Sequence, residues 1–316
     1  MDGLKFLVTG GAGFIGSNLV EALIEKGCFV RVLDNLSTGK KDNIKAYFGN
    51  QQFEFIEGDI RDGNMCQKAC KDVDFVLHQA ALGSVPRSIK DPMTTNEVNV
   101  GGTLNMLIAA RDNKVKRFVY ASSSSVYGDE KRLPKKEGRV GTPLSPYAIS
   151  KKTNELYARN FYDLYGLETI GLRYFNVFGR RQDPDSPYAA VIPVFIKNIL
   201  HNRVSTINGD GEQTRDFTYI DNVIDANIKA CFAGKSACGK VFNIANGDRI
   251  SVNYLYKRLC ELLKRQENMV YGPERAGDVR DSNADIKKAN KYLRYSPLLS
   301  FDKGLETAIQ WYEKNL

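Results

Sequence analysis

The chain has 316 residues, enough for one large domain or two smaller ones sharing a core. It is 42% hydrophobic and 26% charged, the balance of an ordinary globular protein, and no apolar run reaches the length of a membrane span. The net charge of +8 is scattered over short runs such as KKDNIK, KRLPKK and KKANK without interleaved aromatics. That pattern argues against nucleic acid as a partner, and solvation or a small polyanionic substrate accounts for it as well.

The opening residues, MDGLKFLVTGG, lack the cationic segment, apolar stretch and cleavage site of a secretion signal, so a cytoplasmic location is expected. LKFLVTG reads as a buried strand and FIGSNLVEALIEKG as the helix after it. Gly10, Gly13 and Gly16 punctuate the junction. Such a triplet fits a plain tight turn, and equally a cradle in which Gly13 lets backbone approach a pyrophosphate and Gly16 lets helix pack on strand. The next strand, FVRVLDN, ends in Asp34 and Asn35, about 18 residues past Gly16. A carboxylate there suits a ribose diol and repels a 2′-phosphate, so the context favours a dinucleotide, and NAD over NADP. FEFIEGD and DFVLHQAA read as further strands. Asp59 and Ile60 are expected beside the adenine, with Gln79, Ala80 and Ala81 letting the chain pass close to the cofactor. His78 ends a buried strand and reads as a core histidine.

TTNEVNVGGTLNMLIAARDN reads as a helix, and RFVYASS as a strand that runs into the four serines Ser122 to Ser125. Such a run fits a linker, a helix cap or a row of hydroxyls aimed at a ligand, and it lies at the carboxyl edge where sheets of this kind bind ligands. PYAISKKTNELYARNFYDLYG follows as a helix with Tyr147 and Lys151 four apart on one face. An ammonium beside a phenol lowers its pKa and makes it a general base, although the pair is also common on helices that carry no chemistry. ETIGLRYF is one more strand.

Short apolar strands alternating with helices predict an α/β fold: a Rossmann-type doubly wound parallel sheet with a smaller interleaved C-terminal α/β substrate lobe. Residues 1–172 plus 217–246 are assigned to the nucleotide part and 173–216 plus 247–316 to the lobe. In the second half PVFIKNILHN reads as a helix, and VSTING, RDFTYI and KVFNIAN as strands. From NYLYKRLCELLKR onward the chain is expected to be helical around an AGDVRDS loop. The six cysteines show no metal spacing and only two histidines are present, so reduced structural thiols and no metal site are expected.

Taken together, TGGAGFIG, LDNLSTG, GDIRD, HQAA, SSSSVYG, YAISK, LRYFNVFG, GDGEQTRDFTYI and RAGDVRDS resemble the extended short-chain dehydrogenase/reductases that modify nucleotide sugars. The resemblance covers essentially the whole chain. ALGSVPRS and FNVFGRRQDP are most similar to the UDP-N-acetylglucosamine 4-epimerases among them. It implies reversible C4 epimerisation of UDP-GlcNAc and UDP-GalNAc through a 4-keto sugar, with tightly bound NAD. The implied catalytic residues are Tyr147 as base, Ser123 as the hydroxyl on the sugar 4-OH, and Lys151, which lowers the Tyr147 pKa and bonds the nicotinamide ribose. Implied cofactor contacts extend to Phe14, Ile15, Ser37, Thr38, Gly39, Asn99, Ser122 and Tyr174. Dehydratases place Thr, Asp and Glu where this chain has Ser123, Ser124 and Ser125, so the acid and base for eliminating water are missing.

On the substrate side the resemblance implies Ser84, Arg87 and Ser124 near the hexose and Asn176 on phosphate or sugar. Arg215 and Arg275 would clamp the diphosphate, Ala190 and Val191 lie on the uridine side, Thr206 and Asn208 flank uracil, and Asp278 meets the uridine ribose. Ser282 stands where epimerases restricted to unacetylated sugars carry Tyr, leaving volume for a 2-acetamido group. A UDP-glucuronate 4-epimerase, with Arg87 for the C5 carboxylate, is the alternative. A non-catalytic nucleotide-sugar-binding protein would lack Tyr147 or Lys151. Related enzymes pair helices equivalent to residues about 95–112 and 147–165 into a four-helix bundle, which implies a homodimer.

Overall fold

The computed structural model describes residues 1–274 and 280–316. Seven parallel strands form its central sheet: β1 (Lys5–Thr9), β2 (Phe29–Asp34), β3 (Phe53–Glu57), β4 (Phe75–His78), β5 (Arg117–Ser123), β6 (Thr169–Tyr174) and β11 (Lys240–Ile244). Their order is β11-β6-β5-β4-β1-β2-β3, so the connection reverses direction beside β1. At that reversal the loops after β1 and β4 part and open a crevice at the carboxyl edge.

Both faces of the sheet are covered, which is why β4 (FVLH) and β6 (TIGLRY) are buried at every position. Side chains alternate in direction along each strand. Phe6 and Val8 of β1 pack with α1 (Phe14–Glu25) and α8 (Ile220–Phe232). Leu7 joins the opposite core, against α2 (Gly63–Cys70), α5 (Thr103–Asp112) and α6 (Pro146–Tyr165). Burying a side chain such as Phe6 or Leu7 is worth about 2–3 kcal/mol, and this two-sided core holds the strand ends in place.

Local signals set the bounds of α6, the longest helix among the described residues. The Ser145 hydroxyl accepts from the Ala148 N–H at 3.1 Å, Pro146 occupies the first turn, and Gly166 ends the helix at φ 70°. The stretch expected as a helix over 94–113 divides into α4 (Pro92–Asn96), a π-helical segment Glu97–Gly102 and α5. Ahead of it α3 (Val85–Lys90) is capped by Ser84.

Beyond β6 the chain leaves the sheet. It forms β7 (Val177–Phe178), α7 (Val191–Leu200), β8 (Ser205–Asn208), β9 (Thr214–Arg215) and β10 (Thr218–Tyr219) before α8 and β11. Then follow β12 (Ile250–Ser251), α9 (Val252–Leu263), β13 (Met269–Gly272), α10 (Lys287–Leu293) and α11 (Phe301–Asn315). β13 corrects the expectation of an all-helical end: Met269–Gly272 pairs in parallel with Ser205–Asn208. No helix among the described residues is long and apolar enough to cross a membrane.

Candidate active site

Three neighbouring cavities line the carboxyl edge of the sheet. The first, of about 300 Å³, runs along the ends of β1, β2 and β4. Gly10, Gly13, Phe14, Ile15, Gly16, Asp34, Asn35, Ser37 and Thr38 line it, facing Asp59, Ile60, Gln79, Ala80 and Ala81. The glycines are there for space. A Cβ on Gly10, whose φ is +68°, would meet the Ala80 backbone at 2.8 Å, and one on Gly16 would run into the Gly10 carbonyl oxygen at 2.0 Å. A Cβ on Gly13 would touch only that same oxygen, at 3.2 Å, so its other side is open. Helix α1 begins at Gly13 with no side-chain cap, leaving its first N–H groups for an anion. Gly39 lies outside the cavity wall, with its Cα face against Ala12, and brings the loop carrying Ser37 and Thr38 onto the glycine turn.

Asp34 is fixed at the cavity by the N–H groups of Ala12 at 2.9 Å and Leu36 at 2.8 Å. Burial raises its pKa against the pull of those two donors. Asp59 goes the other way, down to about 2, because the Arg61 guanidinium forks onto it. Asn35 adds a hydrogen bond to Asp59 at 2.8 Å. A pyrophosphate-sized gap over uncapped helical N–H groups, with a carboxylate at the end of the second strand, fits a dinucleotide.

Two residues expected on the cofactor, Asn99 and Tyr174, are not among those lining this cavity. Asn99 is wholly buried: its carbonyl oxygen accepts from Leu82 N–H at 2.8 Å and its amide donates to the Ser150 hydroxyl at 3.0 Å. Tyr174 joins Gln79 and Asn227, donating to Gln79 Oε1 at 3.2 Å while Asn227 Nδ2 donates to its hydroxyl at 2.8 Å. His78 is a core histidine. Thr103 donates to the Asn99 carbonyl and Thr9 accepts from Ala80 N–H, so the ring accepts from Thr9 at Nδ1 and donates to Thr103 from Nε2. Burial pushes its pKa down to about 3.

The four serines divide between two elements: Ser122 and Ser123 end β5 on alternate faces, and Ser124 and Ser125 open a 3-10 turn. Ser122 turns inward and donates to Glu155 Oε1 at 2.7 Å, so its hydroxyl serves a buried carboxylate and does not line the groove. Ser123 accepts from both the N–H (3.1 Å) and the hydroxyl (2.9 Å) of Ser125, which leaves its own hydrogen for the oxygen of Tyr147. Ser124 and Ser125 face a second cavity, of about 240 Å³.

Tyr147 and Lys151 share one face of α6, but the expected depression of the phenol pKa is not what the structure gives. Burial is the largest influence on Tyr147 and raises it; the Ser123 hydroxyl pulls it down. Lys151 Nζ stands 6.0 Å from the Tyr147 ring centroid and donates to the Ala121 carbonyl at 2.9 Å, and burial lowers its pKa to about 8. Removal from water pushes both groups towards their neutral forms.

The second cavity is walled by Ser124, Ser125, Ser145, Asn176, Arg215 and Ser282, and no carboxylate stands among the described residues around it. Ser282 is held there by its N–H bond to the Thr214 carbonyl at 3.0 Å. A third cavity, of about 270 Å³, shares Asn176 and Arg215 and continues past Ala190, Val191, Thr206 and Asn208. Arg215 Nη1 donates to the carbonyls of Thr214 and Arg280, each at 3.0 Å. Arg275 and Asp278 lie outside the described residues.

Ser84 and Arg87 are not on the hexose-sized cavity. Ser84 caps α3 by accepting from Arg87 N–H at 3.1 Å, and the Arg87 guanidinium stacks 4.9 Å over the Tyr188 ring. Arg87 instead lines a wide opening of about 1090 Å³, shared with Gly13, Ser37, Thr38 and Ala190. Sequence reasoning missed Lys135, 3% exposed and on the Ser124 cavity, because it sits in a basic run read as solvated. It also missed Glu155, whose only signal was its place one turn past Lys151.

The sequence pattern of the NAD dependent epimerase/dehydratase family matches residues 6–245. The chain belongs to that family. Its cofactor is therefore NAD. Over 311 residues it is 40% identical to a putative UDP-glucose 4-epimerase from Methanocaldococcus jannaschii, covering 98% of each chain. Its structure is similar to a UDP-N-acetylglucosamine 4-epimerase from Methanobrevibacter ruminantium M1 in complex with UDP-N-acetylmuramic acid. That match has a TM-score of 0.95 and 39% identity over 100% of both chains. A UDP-glucose 4-epimerase from Thermus thermophilus, solved with NAD, matches with a TM-score of 0.90 and 32% identity over 99% of this chain and 100% of that one. The described residues around the Ser124 cavity supply hydroxyls and cations without an acid to expel water. Among the described residues no cluster of His, Cys, Asp or Glu is placed to hold a metal ion, and all six cysteines are unpaired and buried.

Proposed function

We propose that this protein is a UDP-sugar 4-epimerase whose preferred pair is UDP-GlcNAc and UDP-GalNAc. One observation carries the reading: Ser123, hydrogen-bonded to Tyr147, leads directly into Ser124 and Ser125 on the wall of a sugar-sized cavity that Ser145 and Ser282 also line. When bound, NAD supplies a hydride acceptor and donor for C4 and a fixed positive charge near the phenol. Tyr147 takes the proton of the sugar 4-OH and later returns it, and Ser123 orients that exchange. Lys151 supplies a donor beside the reacting groups. Asn176, Arg215, Ala190, Val191, Thr206 and Asn208 hold the UDP while the hexose turns over, so both faces of C4 meet the same base. Small side chains at Ser124 and Ser282 leave volume for a 2-acetamido group, and the names of two of the structural and sequence neighbours agree with a UDP-hexose.

The test is NMR of UDP-GlcNAc incubated with the protein and no added cofactor. Appearance of the galacto C4 configuration supports the reading; unchanged UDP-GlcNAc rejects it. UDP-glucuronate is the second reading, favoured by Lys135 on the wall of the sugar-sized cavity, where an ammonium would pair with a C5 carboxylate. Comparing turnover of the two substrates decides between them.

We further propose a homodimer in the cytoplasm, paired through α4 to α6. Met93 (69% exposed), Ile149 (54%), Leu156 (61%) and Leu164 (66%) leave apolar side chains open to solvent there.

A further inference from the structure

Behind the serine run lies a buried charge pair that the chemistry above does not use. Arg173, on β6 and 1% exposed, meets Glu155 of α6 through Nε at 2.7 Å and Nη2 at 2.8 Å. Ser122 adds its hydroxyl at 2.7 Å, and Lys152 Nζ approaches the outer oxygen at 3.4 Å. The guanidinium also lies 4.9 Å over the Tyr127 ring, with Nη1 reaching the Glu137 carbonyl at 3.3 Å. Burying such a pair costs several kcal/mol per ion, and apolar side chains of similar volume hold a core together as well. Stability alone therefore does not explain it.

Its position does. Glu155 is one turn beyond Lys151 and two beyond Tyr147 on the same helix. Ser122 stands between Ala121, whose carbonyl accepts from Lys151, and Ser123, which bonds Tyr147. One carboxylate thus ties the helix bearing two catalytic side chains to the strand bearing the third, at the residue between their contact points. Apolar packing tolerates small rotations of a helix on a sheet. A two-pronged guanidinium–carboxylate bond closed by a hydroxyl fixes both rotation and register.

We propose that Glu155 is a positioning residue: gripped by Arg173, it fixes through Ser122 the approach of Ser123 to Tyr147 and of Lys151 to Ala121. Glu155 lines none of the three cavities. The inference rests on the epimerase reading for its activity readout, and a second readout stands apart from turnover.

Ser122→Ala removes one hydroxyl and leaves the Arg173–Glu155 pair whole. With UDP-GlcNAc, kcat is expected to fall about tenfold while KM stays within about twofold and bound NAD is retained. Glu155→Gln is expected to lower kcat at least as far, and adding Ser122→Ala to it to cost nothing more, because the groups act as a unit. Tyrosinate absorbance, titrated and corrected by subtracting Tyr147→Phe, should place the Tyr147 phenol at higher pH in Ser122→Ala than in wild type. Wild-type kcat with an unmoved titration in Ser122→Ala overturns the proposal, as does a rise in KM at constant kcat. If wild type turns over no UDP-hexose, that result counts against the proposed function, and the titration alone judges the clamp.

Discussion

Lys151 gives its ammonium to the carbonyl oxygen of Ala121, 2.9 Å away, from a position only 4% exposed. The charge is held by dipoles and by no carboxylate, so burial brings its pKa from 10.5 to about 8. The folded protein therefore binds this proton less tightly than the unfolded chain. The stability tied to it is complete above pH 10.5 and is lost as pH falls through 8. Relative to Lys151→Met, the cofactor-free wild type should lose about 3 kcal/mol on going from pH 10.5 to pH 7, at about 1.4 kcal/mol per tenfold change in proton affinity. Urea unfolding of both proteins across that range measures it, and parallel curves refute it.

The hydroxyl of Tyr147 is the group on which turnover depends. Tyr147→Phe keeps the ring and deletes the proton acceptor. A loss in kcat of about 10²–10⁴ is expected, with NAD retained and KM for the sugar little changed. An unreduced rate of C4 inversion would remove Tyr147 from the chemistry.

Ser282 and Ser124 both line the sugar-sized cavity. Ser282→Tyr fills the volume that an acetamido group needs. Turnover of UDP-GlcNAc should fall at least about tenfold while UDP-glucose and UDP-galactose are spared. Equal effects on acetylated and unacetylated substrates would show that this wall does not select.

Leu156 is 61% exposed in the middle of α6. A charge there is incompatible with a buried helix pair, so Leu156→Asp should convert a dimer to a monomer at micromolar concentration by light scattering. A wild type that is already monomeric sinks the pairing.

The sheet was legible because β1, β4, β5 and β6 are short, largely apolar runs, each followed by polar or small residues at the carboxyl edge. Gly10, Asp34, Asp59 and Gln79 could be placed in one groove for the same reason: strand ends of a parallel sheet share an edge. β13 escaped notice because it is only four residues long, too short for an alternating pattern to stand out from the helical stretch before it. The π-helical turn at Glu97–Gly102 is too short for its period to be told from that of an α-helix. The direction of Ser122 depended on Glu155, 33 residues away, and no local pattern announces that pairing. Arg87 was placed by likeness at the hexose, whereas its guanidinium prefers the Tyr188 face.

The chain leaves the central sheet after Tyr174 and comes back to complete it only at Lys240. A ribosome must therefore finish β7 through α8 before the outermost strand can dock on β6. The cofactor half cannot be passed between genes as a cassette: a cut between residues 174 and 240 strips a strand from its sheet and leaves Leu172 and Tyr174 without their partners Phe242 and Ile244.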